Sequence, residues 1–97
     1  MDLQFEWDDA KAKANFTKHG VAFDEALTVF ADPVARIFDD PDHSEGELRE
    51  LIVGISTKSR LLVVGFTERF GRVRLIHARR ASKAERKRHE ENTTPQS

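Results

Sequence analysis

Cysteine is absent from the 97-residue chain, which excludes disulfides, thiolate zinc sites and a cysteine nucleophile together. No apolar run approaches the length of a membrane span. The opening, Met1-Asp2-Leu3-Gln4-Phe5-Glu6-Trp7-Asp8-Asp9, is acidic where a secretory signal is basic and then apolar. A soluble, cytoplasmic protein without membrane contact is expected. A GxxxxGK[ST] loop and a GxGxxG turn are both missing, which argues against nucleotide-dependent chemistry. The histidines, His19, His43, His77 and His89, include no two at a metal-ligand spacing, and no carboxylate completes a recognisable triad. No metal or other cofactor is expected. A chain of this length buries roughly 60–65% of its unfolded surface. That is enough for one two-layer core and too little for separate cofactor and substrate domains.

Charge is plentiful and unevenly placed. The net charge is −1. Residues 1–50 nevertheless hold 13 Asp/Glu against 5 Lys/Arg, a balance of −8, and residues 51–97 hold 4 against 11, a balance of +7. Between 72 and 88 stand Arg72, Arg74, Arg79, Arg80, Lys83, Arg86, Lys87 and Arg88, opposed by Glu85 alone. Such asymmetry points to a polyanion or an acidic partner. The plainer alternative is that the two halves fold together and neutralise each other.

The pattern along the chain is βαα, then four strands and a helix. Leu3 to Trp7 alternates as a short half-buried strand does. Asp8 or Asp9 caps a helix through Ala10 to Phe16, Lys18 and His19 suit its C-terminal end, and Gly20 stops it. Phe23, Ala26, Leu27 and Phe30 form the stripe of a second helix, ended by Asp32-Pro33. Val34 to Phe38 reads as a strand, followed by an acidic, turn-rich loop over 39–47. Leu48 to Ser56, Leu61 to Thr67 and Arg72 to Ala78 are strands whose short connections imply antiparallel hairpins. Ser82-Lys83-Ala84-Glu85 is a capping box opening a helix with almost no apolar face. One domain over 1–91 and a disordered tail over 92–97 are expected. The fold class is α+β, with helices packed on one face of the sheet. Simple alternation in the last strand places Arg72 and Arg74 on one side and Val73, Leu75 and His77 on the other.

Thr67-Glu68-Arg69, with Arg79-Arg80 one strand later, can converge at one end of this sheet. Metal-free RNA cleavage needs a base for the 2′-hydroxyl, cations for the phosphorane and an acid for the leaving 5′-oxygen. Arginine suits the cation role because its planar fork grips two phosphate oxygens. A surface ion-pair lattice of Glu68, Arg69, Arg72 and Arg74 would show the same composition. Lys11 and Lys18 share one helix face with Asn15 between them, so with His19 they form either a second phosphate contact or a charge complement to the helix end. Phe5 and Trp7 belong to the core rather than to a base-stacking platform.

Several phrases together resemble a known family. Phe5-Glu6-Trp7-Asp8-Asp9-Ala10-Lys11, followed by Asn15-Phe16-Thr17-Lys18-His19-Gly20-Val21-Ala22-Phe23, is similar to the W-D-x-x-K…N-x-x-K-H-G-V-x-F opening of the BrnT toxins. Gly46-Glu47-Leu48-Arg49 matches G-E-x-R. Val63 to Arg69 and Arg72 to Ala81 resemble V-V-x-[YF]-T-x-R and R-I-I-S-A-R-R-A, and Glu85-Arg86 fits a closing E-R-x-x-Y. His77 and His89 depart from this pattern, standing where the family carries serine and tyrosine. The resemblance implies a RelE-like fold and a ribonuclease that inhibits translation. It further implies a cognate antitoxin with a DNA-binding domain, which neutralises the toxin and brings it indirectly to operator DNA. Matched by position, the activity residues it implies are Lys18, His19, Thr67, Arg69, Arg79 and Arg80.

The combined expectation is metal-independent RNA cleavage giving a 2′,3′-cyclic phosphate. Arg69, Arg79 and Arg80 would stabilise the scissile phosphate and Thr67 would position it. Glu68, His77 or His19 would move protons, while Lys11, Lys18, His19, Arg72 and Arg74 would bind RNA. The rival is a catalytically inactive toxin-like module that holds an antitoxin at its operator or binds nucleic acid.

Overall fold

The first helix forms where the sequence supplies both of its ends. Asp8 Oδ1 accepts a hydrogen bond from Lys11 N at 3.1 Å, opening α1 (Asp9–His19). Gly20, at φ 70°, closes it by donating its N–H to Phe16 O at 2.8 Å. The computed structural model describes residues 3–40 and 48–93. The acidic loop expected over 39–47 falls outside them from residue 41 on, and Asp39 is strand.

The second helix is shorter than its apolar stripe implies. α2 (Phe23–Ala26) is one turn and runs into a 3₁₀ segment, Leu27–Ala31. Thr28 supplies a reason, because its hydroxyl donates to Glu25 O at 2.6 Å and competes with the helix ladder for that carbonyl. Glu25 itself is buried and takes a two-pronged ion pair from Arg60, with Nε on Oε2 at 2.9 Å and Nη2 on Oε1. Ser56 Oγ donates to the same carboxylate at 2.7 Å, and Arg60 Nη2 reaches Gly20 O at 3.2 Å. The Arg60 hydrogen bonds hold the Glu25 carboxyl below its ordinary range despite burial. One side chain thus ties the end of α1, α2 and the turn after the third strand together.

The sheet has five strands in the order β1-β5-β4-β3-β2: β1 (Gln4–Glu6), β2 (Arg36–Asp39), β3 (Glu50–Ile55), β4 (Leu61–Arg69) and β5 (Arg72–Arg80). Neighbours pair antiparallel except β1, which lies parallel to β5. The expected run of four antiparallel strands is therefore part of a mixed sheet. The first strand can pair parallel with the last because the rest of the chain serves as its connection. β4 and β5 are joined by Phe70-Gly71, with φ of 50° and 77°. Two left-handed residues make the turn whose twist matches a hairpin.

A bulge in β5 changes the phase of that strand. Gly65 pairs with His77 and Phe66 with Leu75, leaving Ile76 unmatched. Val73, Leu75 and Ala78 consequently all enter one core, with Ile52, Leu62, Val64 and Phe66 of the sheet and Val21, Phe23, Ala26 and Val29 of the helical layer. His77 turns to the opposite face. Simple alternation had placed it beside Val73 and Leu75, and the extra residue overturns that. Phe5 and Trp7 do pack on this core, edge-to-face with Phe30 and Phe23 at 5.1 and 5.9 Å.

Helices lie over both faces of the sheet, not one. On the second face Leu61, Val63 and Ala81 cluster with Leu51 and Val53. Above them α3 (Lys83–Thr93) brings Glu85, Arg88, His89 and Asn92 to the wall of a cavity of about 220 Å³ floored by Phe38, Leu51, Val53 and Val63. The capping box forms, with Ser82 N donating to Glu85 Oε1 at 2.8 Å and Glu85 N to Ser82 Oγ at 3.1 Å. Asn92 and Thr93, expected in the tail, are helical, and residues 94–97 lie outside the described chain.

Asn15 joins α1 to β5 beyond the bulge. Its Nδ2 donates to Ala78 O at 2.8 Å and Val21 O at 3.0 Å, and its Oδ1 accepts from Ala78 N at 2.9 Å. β1 pairs only with Arg72 to Arg74, so the buried carboxamide does at Ala78 what a longer β1 would have done. Asn15→Ala strands these groups and is expected to destabilise the fold by about 2–4 kcal/mol. A fall in the urea midpoint without a change of slope measures it.

Candidate nucleic-acid interface

The register of β4 and β5 sorts the candidate residues by face. On the face away from α1, Arg69 stands opposite Arg72, Thr67 opposite Arg74, Gly65 opposite His77 and Val63 opposite Arg79. Thr67, Arg69, Arg72, Arg74, His77 and Arg79 therefore share one surface. Glu68, opposite Val73, and Arg80, opposite Leu62, point to the helical side. Lys11, Lys18 and His19 belong to α1 on that same side. Arg79 and Arg80 thus diverge, as neighbours in a strand must.

His77 owes its seat to a glycine. A Cβ at Gly65 would lie 2.6 Å from His77 Cδ2 and 2.8 Å from Cε1, inside contact distance. The imidazole rests directly on the bare backbone of β4. A glycine inside the apolar run Leu61-Leu62-Val63-Val64-Gly65-Phe66 is the signal that marks such a close approach.

Thr67 and Arg79 are tied to the fold by bonds of their own. Thr67 is 1% exposed and donates its hydroxyl to Leu48 O at 2.8 Å, which holds the segment entering β3. Arg79 grips Glu85 with both prongs, Nη1 on Oε1 at 2.7 Å and Nη2 on Oε2 at 2.9 Å. That pair lowers the Glu85 carboxyl from 4.5 to about 2, its hydrogen bonds to Arg79 outweighing burial. The same contact raises the Arg79 guanidinium. Arg79 is thereby the anchor of α3.

The cations fall into two stretches on either side of His77. Toward the β4–β5 turn lie Arg69 and Arg72, both exposed, and half-buried Arg74. The Arg74 contact with Glu6 is long, 4.0 Å, with both side chains 36% exposed, so it binds Arg74 only weakly. At the other end are Arg79 and the basic residues of α3. The Lys18-His19-Gly20 turn and Arg80 share that end on the helical side. Arg60 reaches Gly20 O there, and Ala81 N donates to Leu61 O at 2.9 Å. Among the described residues no cluster of histidine, aspartate and glutamate could hold a metal ion. No helix among them is long and apolar enough to cross a membrane.

The arrangement is an α+β sheet with arginines and one histidine on a single face. In fold it is similar to the Brucella abortus ribonuclease toxin BrnT, known from a 1.1 Å crystal structure, with a TM-score of 0.66 and 21% identity over 84% of this chain and 100% of that one. No curated protein matches the chain in sequence. The family model described as the ribonuclease toxin BrnT of type II toxin–antitoxin systems matches residues 7–85. The chain belongs to the BrnT toxin family.

Glu85 makes the docking of α3 pH-dependent. Its folded value, about 2, lies below the ordinary 4.5. The stabilisation is therefore complete above about pH 4.5 and is lost as pH falls toward 2. With Glu85 29% and Arg79 38% exposed, solvent screening leaves about 1–2 kcal/mol of the effect. Acid titration followed by the Ser82 and Glu85 amide resonances is expected to show α3 loosening in that window, and Glu85→Gln to show it loosened at neutral pH.

Proposed function

We propose that this toxin is an endoribonuclease that cleaves RNA without a metal, inhibits translation, and is neutralised by a cognate antitoxin carrying a DNA-binding domain. The observation that supports this best is His77 seated on Gly65, on the face that carries Arg72 and Arg74. RNA lies along β5 on that face. The 2′-oxygen attacks phosphorus, the P–O5′ bond breaks, and a 2′,3′-cyclic phosphate and a 5′-hydroxyl result. His77 moves the proton at the 2′-hydroxyl, since imidazole both takes and gives protons near neutral pH. The proton gained by the 5′-oxygen comes from solvent or from the imidazolium. Arg74, the nearest arginine to His77 on that face in the direction of the β4–β5 turn, stabilises the doubly charged phosphorane, while Arg72 and Arg69, nearer the turn, hold the RNA backbone farther along.

In this reading Thr67 and Arg79 are positioning residues, acting through Leu48 and Glu85. Glu68, His19 and Arg80 face away from the phosphate. Arg80, with Lys11 and Lys18, adds only to the long-range positive field that draws RNA in.

Purified chain incubated with mixed cellular RNA in EDTA tests the reading. Cleavage with cyclic-phosphate ends is expected. His77→Ala and Arg74→Ala should each slow it on the order of 100-fold or more, and Arg80→Ala by no more than about 3-fold. Ends bearing 3′-hydroxyl and 5′-phosphate would reject the mechanism, because they indicate attack by water. A folded chain that cleaves nothing, with or without ribosomes, favours the inactive antitoxin-binding module.

A further inference from the structure

Phe70, at the tip of the β4–β5 hairpin, is unexplained by folding. The residue is 102% exposed, and its backbone sits at φ 50°, where asparagine or glycine is the better residue. It joins neither hydrophobic cluster and pairs with no other ring among the described residues. A large apolar ring held in solvent on a left-handed residue is unfavourable twice over. Its surroundings suggest what it meets. Arg69 and Arg72 face each other across the base of the same turn, and Arg74 follows one step along the face.

An exposed aromatic ring at a turn flanked by arginines is the equipment that binds unpaired RNA: phosphates meet the cations and a splayed base stacks on the ring. We propose that Phe70 is a base-stacking residue for the RNA substrate, at a subsite several nucleotides from the bond cut beside His77. Six residue steps along β5 lead from Gly71 to His77, about 20 Å at ~3.3 Å each. The inference rests on the ribonuclease reading and adds a subsite to it. The other aromatics near the start of the chain, Phe5 and Trp7, are committed to the core.

The test uses a fluorescently labelled, unstructured oligoribonucleotide of about a dozen nucleotides, with His77→Ala as the background so that cleavage is slow on the time of a binding measurement. Phe70→Asn suits the turn and is expected to melt no lower than the parent. It should bind the oligonucleotide roughly 5- to 150-fold more weakly. The salt dependence should be unchanged, whereas Arg72→Ala lowers the log–log slope by about 0.7. Phe70→Trp should bind as the parent does, with its added fluorescence quenched by RNA. With His77 restored, Phe70→Asn should raise KM on the long substrate and leave a dinucleotide unaffected. Unchanged binding by Phe70→Asn overturns the subsite while the ribonuclease reading stands. Normal RNA binding with loss of the antitoxin complex assigns the ring to a protein contact and overturns it equally. A parent chain that binds no RNA removes both readings together.

Discussion

One carboxamide determines which way the arginine-bearing strand faces. β5 contains one residue too many for its partner, and a bulge can migrate unless something fixes the phase beyond it. Asn15 does so by pairing with both backbone groups of Ala78, two residues after Ile76, from inside the main core. With Ala78 pinned toward the helices, His77 must face away from them and Arg79 with it. Were the phase to slip, the imidazole would turn into the core and Ala78 onto the surface. The buried asparagine therefore orients the candidate site as well as holding the core that surrounds it. It does so from the opposite face of the sheet.

Two bidentate ion pairs do different work at the same end of the sheet. Glu25 and Arg60 form a staple whose carboxylate is almost fully buried and shared with Ser56. Removing either partner would strand a buried charge, so this pair behaves as part of the fold. Arg79 and Glu85 are both partly exposed, and their partner element is a helix that buries little. α3 has a capping box and one guanidinium where other helices have an apolar stripe. Such an element belongs to the least stable part of a structure. It covers the second face without sealing it, which leaves the cavity over Phe38, Leu51, Val53 and Val63.

Much of this was legible in the residues, and the rest was hidden for definite reasons. Caps and turn formers announced α1, the two hairpins and the capping box of α3, because those signals are local. The resemblance to BrnT toxins was carried by short phrases in order, and the family match covers residues 7–85. The parallel pairing of β1 with β5 was not legible, since partners so far apart in sequence leave no local trace. Nor was the bulge, because Arg72-Val73-Arg74-Leu75-Ile76-His77-Ala78 reads as clean alternation until a partner strand sets its register. The engagement of Arg79 could have been read from Glu85, placed by its own capping box on the first turn of the next helix. Gly65 was the overlooked clue to His77. A gap in an apolar strand is a space that some neighbour fills.

The opposed charges of the two halves are reconciled by topology rather than by neutralisation. Glu25 with Arg60 and Glu6 with Arg74 join the halves, and the first of these is consumed in the fold. The acidic half supplies both helices of the first layer and the edge strands β1 and β2. The basic half supplies β4, β5 and α3. Because β5 and β4 lie side by side inside the sheet and α3 returns over their second face, the positive residues gather there instead of being spread around the molecule. A net charge of −1 therefore conceals a gathering of basic residues on β4, β5 and α3. Association with a polyanion depends on that local potential, which is screened by salt within about 10 Å at 0.1 M ionic strength, and not on the sum.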